Sequence, residues 1–247
     1  MARQLSSTTQ LDATIPATGT GSLTLAAKIY SDTASTAAYP ASVDRWLTLG
    51  GIGGSESLVL RREWNGSTHG DCYVNGTAGG RVQAGSVTAG TWQHWAVTVD
   101  GSTIRLYQDG AQVGSTSQTQ NITSETTIAV GRSDTEGFDG RFAEIGIWTR
   151  ALSADEIKAL SVGFSPGFFR TNLLEYWPLI GGSLVGRRGA TLVDTGGSTA
   201  GDHPGIYYPT QAAGIVVPTA GGGGGFTPKQ RRVAGWRVGS RSMRMAA

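Results

Sequence analysis

Arg61, Arg62, Trp64, Asn65, His69 and Tyr73 gather guanidinium, indole, amide, imidazole and phenol groups into one short, turn-rich stretch. Such a mixture suits a polyhydroxylated ligand, because the aromatic takes the apolar side of a sugar ring and the polar groups fix its hydroxyls. The competing reading of Trp64 is a cap on a hydrophobic core, the role expected of Trp46, Trp92, Trp95, Trp148 and Trp177. A second group, Asp134, Glu136 and Asp139, falls in one acidic loop. Calcium takes about six to eight oxygens, which three carboxylates and backbone carbonyls approach. A solvated acidic loop is the alternative, and no other cofactor is expected. His69, His94 and His203 lack the spacing of a zinc site.

Hydrolysis of a glycosidic bond needs two carboxyl groups flanking it. Glu56, Glu63 and Asp71 are separated by turn signals and Glu144 stands alone on its strand, so the chain is expected to be no enzyme. Glu144 then reads as a structural carboxylate bonded to backbone or to Arg150. Cys72 is the single cysteine, which excludes an internal disulfide and suits a small buried filler.

The elements that position these groups are strands. From Gly90 to Val113, period-2 alternation puts Gln93, Trp95, Val97 and Val99 on one face and Trp92, His94, Ala96 and Thr98 on the other. Asp100-Gly101 and Asp109-Gly110 turn the chain into a meander. Leu23, Leu25, Ala27 and Ile29 share the face of another strand. In Phe138 to Trp148 the alternation sets Arg141, Ala143, Ile145 and Ile147 opposite Phe142, Glu144, Gly146 and Trp148. Residues 1 to 22 read as one or two short edge strands. One helix is expected at Ser153, with Ser153 as N-cap, Glu156 completing a capping box, and Ile157 and Leu160 as its buried stripe.

With 38 glycines among 247 residues, the composition favours short strands and turns over long helices. No apolar run is long enough for a membrane span, and no signal peptide is expected. The net charge of +2 conceals a basic C-terminus: beyond His203 there are six basic side chains and no acidic one. Residues 212–247 read as an arm hinged at the glycines 221–225, with Phe226, Lys229, Arg231, Arg232, Trp236, Arg237, Arg241 and Arg244 as docking groups. Apolar residues interleave with these charges, so protein docking is preferred to nucleic acid.

Trp92, His94, Asp100, Gly101, Leu106, Tyr107, Asp109 and Gly110, followed by Gly140, Phe142, Glu144, Trp148, Arg150, Ala151, Leu152, Ser153, Glu156 and Ile157, resemble the two signature runs of concanavalin A-like, laminin-G-like jelly rolls. The resemblance implies an all-β antiparallel sandwich of two sheets over residues 1–211, with one short helix and a C-terminal extended arm over 212–247. It also makes Trp92, His94, Trp95, Tyr107, Phe142, Glu144 and Trp148 shared core. Sandwich-fold hydrolases carry Glu-x-Asp-x-x-Glu on one strand, a run that this chain lacks. The segments LLEYWPL and HPGIYYP resemble parts of virion proteins of tailed bacteriophages. That implies a capsid decoration, spike or tail component, made in the host cytoplasm, docked on other virion subunits or symmetry copies of itself, and displaying a surface for host glycans. The alternative is a lectin-like module without an assembly role.

Overall fold

The computed structural model of the protein describes residues 2–19, 21–33, 43–50, 56–64, 68–74, 80–117, 124–133 and 136–209. Period-2 alternation gives each strand one apolar face, and two sheets bury those faces against each other. The eight-stranded sheet has the order β10 (Ala111–Ser117), β9 (Thr103–Gln108), β8 (Trp92–Asp100), β3 (Ser22–Ser31), β14 (Gly140–Trp148), β1 (Ala2–Leu5) and β17 (Thr199–Gly201), with β15 (Leu173–Trp177) also paired to β14. The seven-stranded sheet has the order β16 (Val193–Asp194), β2 (Leu11–Thr14), β11 (Thr127–Val130), β4 (Asp44–Gly50), β5 (Glu56–Trp64), β6 (Thr68–Val74) and β7 (Arg81–Ala84). A small pair, β12 (Arg132–Ser133) and β13 (Glu136–Gly137), stands apart from both. The expected antiparallel sandwich is therefore what the chain forms.

Between the sheets lie Leu23, Leu25, Ala27 and Ile29 of β3 and Trp95, Val97 and Val99 of β8, as alternation requires. They meet Trp46, Leu58, Leu60 and Cys72 from the other sheet. Each large apolar side chain so buried contributes about 1.5–3 kcal/mol. The Trp95 ring presses on β6, where a β-carbon at Gly70 would stand 2.2 Å from it, so only glycine fits. Burial pushes the Cys72 thiol pKa up and leaves it an inert filler.

Two features depart from the sequence reading. Strands β1 and β2 enter different sheets, and both are interior, because β17 and β16 return late in the chain to cover them. The alternation of β14 also breaks. Ala143 pairs with Lys28 but Gly146 with Ala26, one extra residue on β14, and Glu144 takes the left-handed conformation at φ 57°. This bulge shifts the phase, so Phe142, Ile145 and Ile147 all face the inter-sheet core.

A second apolar cluster lies outside the eight-stranded sheet, under α1 (Ala154–Ser161). Ala26 and Ala96 keep the sheet surface low there, and Ile157 and Leu160 seat on it with Tyr107, Trp148 and Leu152. The Ser153–Glu156 capping box is formed. Tyr107 and Trp148 thus belong to this outer cluster, whereas Trp95 and Phe142 occupy the shared core. Trp92 is in neither; it is half-buried on the outer face beside Tyr30. Among the described residues no helix is long and apolar enough to cross a membrane. The 211/212 boundary and the whole arm, Phe226 to Arg244 included, lie outside the described residues.

Candidate functional site

On β5 and β6, Leu58, Leu60, Cys72 and Val74 turn inward, so Val59, Arg61, Glu63, His69, Asp71 and Tyr73 turn to the outer face. The sheet thereby brings Arg61, His69 and Tyr73 together, but on paired strands rather than loops. Arg62 falls on the opposite side and pairs with Asp44, donating also to Ser31 Oγ at 2.6 Å. Burial draws the Arg62 pKa down, and Asp44 opposes that. Trp64 closes β5, and Asn65 lies outside the described residues.

Arg61 is held by an ionic cluster that the sequence did not reveal. Its Nε donates to Asp71 Oδ2 at 2.6 Å and its Nη2 to Glu63 Oε2 at 2.8 Å, while its guanidinium lies 4.8 Å above the Tyr73 ring. Arg81 from β7 bonds the same two carboxylates, with Nε 2.9 Å from Asp71 Oδ1. Burial pushes the Asp71 carboxyl pKa up against the pull of the two guanidiniums. Two cations and two anions neutralise one another, and the Tyr73 ring is covered.

Toward the other edge of the same sheet lies a cavity of about 390 Å³, lined among the described residues by Asp12, Ala13, Thr14, Gly50, Thr127, Ile128, Ala129 and Val193. Leu11, Ala13 and Ile15 of the β2 segment enter the core, leaving Gln10, Asp12 and Thr14 outside. Gln10 Nε2 lies 2.7 Å from each Asp12 oxygen. Burial raises the Asp12 pKa, and Gln10 pulls it back. Thr127 Oγ1 donates to Gly50 O at 3.0 Å, and Val193, 59 % exposed, forms an apolar wall. The pocket offers a carboxylate acceptor, hydroxyls and an apolar side around a floor of small residues. Its sequence signal was the polar side of an alternating strand, Gln10-x-Asp12-x-Thr14.

Asp139 Oδ1 accepts the Ser7 backbone N–H at 2.6 Å, Glu136 is placed only as part of β13, and Asp134 lies outside the described residues. Among the described residues no cluster of three or more His, Cys, Asp or Glu side chains is arranged to hold a metal ion.

Glu144 has other partners than those expected. Arg150 engages Glu156 through two bonds of 2.7 and 2.6 Å. The Glu144 carboxylate instead accepts from Tyr176 Oη at 2.5 Å and Tyr208 Oη at 2.6 Å, with His203 Nε2 at 3.3 Å. The bulge is what aims it at these residues. His94 is buried on the outer side of the sheet, not between the sheets, and its Nδ1 has no hydrogen-bond partner among the described residues. Burial, with a further push from Lys28, lowers its pKa to about 3, so it stays neutral. Lys28 itself donates to Ser161 O at 2.6 Å.

His203 tethers the segment 203–209 to this carboxylate. Its Nδ1 lies 2.8 Å from Pro204 O and its Nε2 3.0 Å from Pro178 O, so both ring nitrogens face acceptors and the imidazolium fits. Burial alone would lower its pKa, but Glu144 and the two carbonyls hold it above the ordinary value. The stabilisation is therefore full below about pH 6.5 and is lost as pH rises through the higher folded pKa. Equilibrium unfolding should show stability falling with pH in that window, and His203→Ala should remove this component. An unchanged pH profile in the variant would refute the tether.

The fold is shared with solved structures. The protein described as a putative carbohydrate binding protein from Bacteroides ovatus ATCC 8483 is 17 % identical, with a TM-score of 0.61, over 80 % of this chain and 58 % of its own. The native heptameric SAP-like pentraxin from Limulus polyphemus is 15 % identical, with a TM-score of 0.54, over 74 % of this chain and 88 % of its own. No curated protein sequence matches. The family model that matches residues 5–158 spans both strand signatures, the bulge at Glu144 and the capped start of the helix, and by it the chain belongs to the Concanavalin A-like lectin/glucanases superfamily.

Proposed function

We propose that the chain is a non-catalytic carbohydrate-binding module whose ligand occupies the Asp12 cavity. The observation that carries this reading is the grouping of the Gln10–Asp12 pair, Thr14, Thr127 and the exposed Val193 around about 390 Å³, a volume in the range of small-ligand sites. Asp12 accepts from sugar hydroxyls, Thr14 exchanges bonds with them, Thr127 accepts through the oxygen whose proton it gives to Gly50 O, and Val193 meets the C–H face of the ring. Superfamily membership and the fold shared with the Bacteroides ovatus protein support the same ligand class. A binding role also agrees with the chemistry of the sheet: Asp12 is a lone carboxylate in the cavity among the described residues, while Glu63 and Asp71 are each bonded to two arginines.

A broad glycan array followed by titration calorimetry tests the proposal. Asp12→Ala should weaken the best ligand at this site about 10- to 150-fold, the equivalent of a charge-assisted hydrogen bond worth roughly 1.5–3 kcal/mol, with the unfolding transition unchanged. A silent array with the wild type refutes the reading. Virion assembly through residues 226–247 is a separate proposal, supported by the sequence resemblance and tested by whether deletion of that segment abolishes incorporation into particles.

A further inference from the structure

We propose a second carbohydrate site on the opposite side of the sandwich, a strip crossing the eight-stranded sheet through Trp92, Tyr30, Arg141 and Gln4. It rests on the reading that the module binds carbohydrate, but it uses none of the cavity residues. The strand register builds it: Tyr30 stands opposite Trp92 on one side and Arg141 on the other, and Gln4 stands opposite Arg141. Four side chains therefore line up across β8, β3, β14 and β1 on the outer face. The helix covers the same face at Ala26 and Ala96, and the strip lies beyond that cover, with Trp92 and Tyr30 half-buried.

The guanidinium is held in place yet unsaturated. Arg141 lies 4.2 Å over the Tyr30 ring, and its Nε donates to Gln4 Oε1 at 2.9 Å. Gln4 is fixed in turn by its bond to Asp32 Oδ2 at 2.5 Å. Both Nη atoms lack hydrogen bonds among the described residues; their nearest carboxylates, Asp32 and Asp202, stand at 3.6 and 3.8 Å, beyond bonding distance. Tyr30 and Trp92 meet edge-to-face at 5.6 Å, which holds the indole against the same tyrosine that the guanidinium covers. An aromatic surface next to a pre-oriented donor edge and two carboxylate acceptors is suited to a sugar ring with adjacent hydroxyls, and little ordering cost remains for binding.

Local charge selects the class of sugar. One guanidinium faces two carboxylates, so the strip is negative on balance, and a uronic or sialic acid would meet repulsion. A neutral oligosaccharide fits, with hydroxyls donating to Asp32 or Asp202 and accepting from Arg141. Two sites on opposite faces would let one module bridge two glycan chains.

The test is calorimetry on the full chain with the neutral oligosaccharide that binds best on the array, using wild type, Asp12→Ala, Trp92→Ala and Arg141→Gln. Two sites per chain are expected. Trp92→Ala and Arg141→Gln should each weaken one of them about tenfold or more and spare the other, whereas Asp12→Ala should do the reverse. Arg141→Gln leaves the aromatic pair intact, so it reads the strip even if Trp92→Ala unfolds. A single site abolished by Asp12→Ala and untouched by Arg141→Gln overturns the strip while leaving the cavity standing. A wild type that binds no glycan overturns both, and preference of the strip for acidic sugars overturns its assignment to neutral ones.

Discussion

Glu144→Ala should lower the stability of the folded domain by about 3–5 kcal/mol, the cost of removing one partner from a buried charged network. Tyr176, Tyr208 and His203 all direct donors at this carboxylate, which is 4 % exposed, and alanine leaves those donors in place without an acceptor. Burial, the larger cause that pushes both phenol pKa values up, persists in the variant, so neither tyrosine compensates by ionising. Urea unfolding should show the loss as a lowered midpoint with little change in slope. Protease sensitivity should rise across residues 203–209, which the carboxylate tethers. Glu144→Gly should be about 1 kcal/mol better than alanine, because glycine relieves the backbone at φ 57°. A loss below about 1 kcal/mol for alanine would show that the bulge, and not the carboxylate, holds this region together.

Asp71→Ala should cost a similar amount, about 3–5 kcal/mol, for the same physical reason in a different place. Asp71 is 0 % exposed and accepts from both Arg61 and Arg81, so its removal takes one carboxylate from each of two guanidiniums that it shares with Glu63. Burying this network costs desolvation energy, and a joint replacement of Arg61 and Asp71 by leucine should therefore recover most of the loss. The cluster and the cavity occupy different strands of the sheet, so glycan affinity at the Asp12 site should change by less than about twofold in folded Asp71→Ala protein. A larger drop would move the ligand contact from the cavity to the cluster.

These two carboxylates mark how far local pattern carries. Glu144 was read as a structural carboxylate from its isolation on the strand, but its partners were not legible, because Tyr176, Tyr208 and His203 come from segments that reach it only when β15 and the 203–209 strap fold back on β14. The expected pair with Arg150 failed because Arg150 completes the helix cap through Glu156. Likewise the polar residues between 61 and 73 were recognised as a group, but alternation sends Arg61 and Arg62 to opposite faces, and Asp71 on the paired strand and Glu63 two residues along β5 then engage Arg61, with Arg81 bonding the same two carboxylates. Trp92 was assigned to the core with the other tryptophans and by the resemblance of its strand to the family signature; only the placement of α1 shows that the cover stops short of it.

Amino-acid order by itself determined the strands, their turns, the capped helix and the core faces of β3 and β8, because period-2 alternation, Asp-Gly turns and a capping box act over a few neighbouring residues. Tertiary structure alone decided the phase of β14, the meeting of Asp12 with Thr127 and Val193, and the row of Trp92, Tyr30, Arg141 and Gln4. The physical reason is common to all three. Which polar side chains become neighbours depends on strand order, register and a single bulged residue, and these are set by burying the two apolar faces as a whole rather than by any local segment.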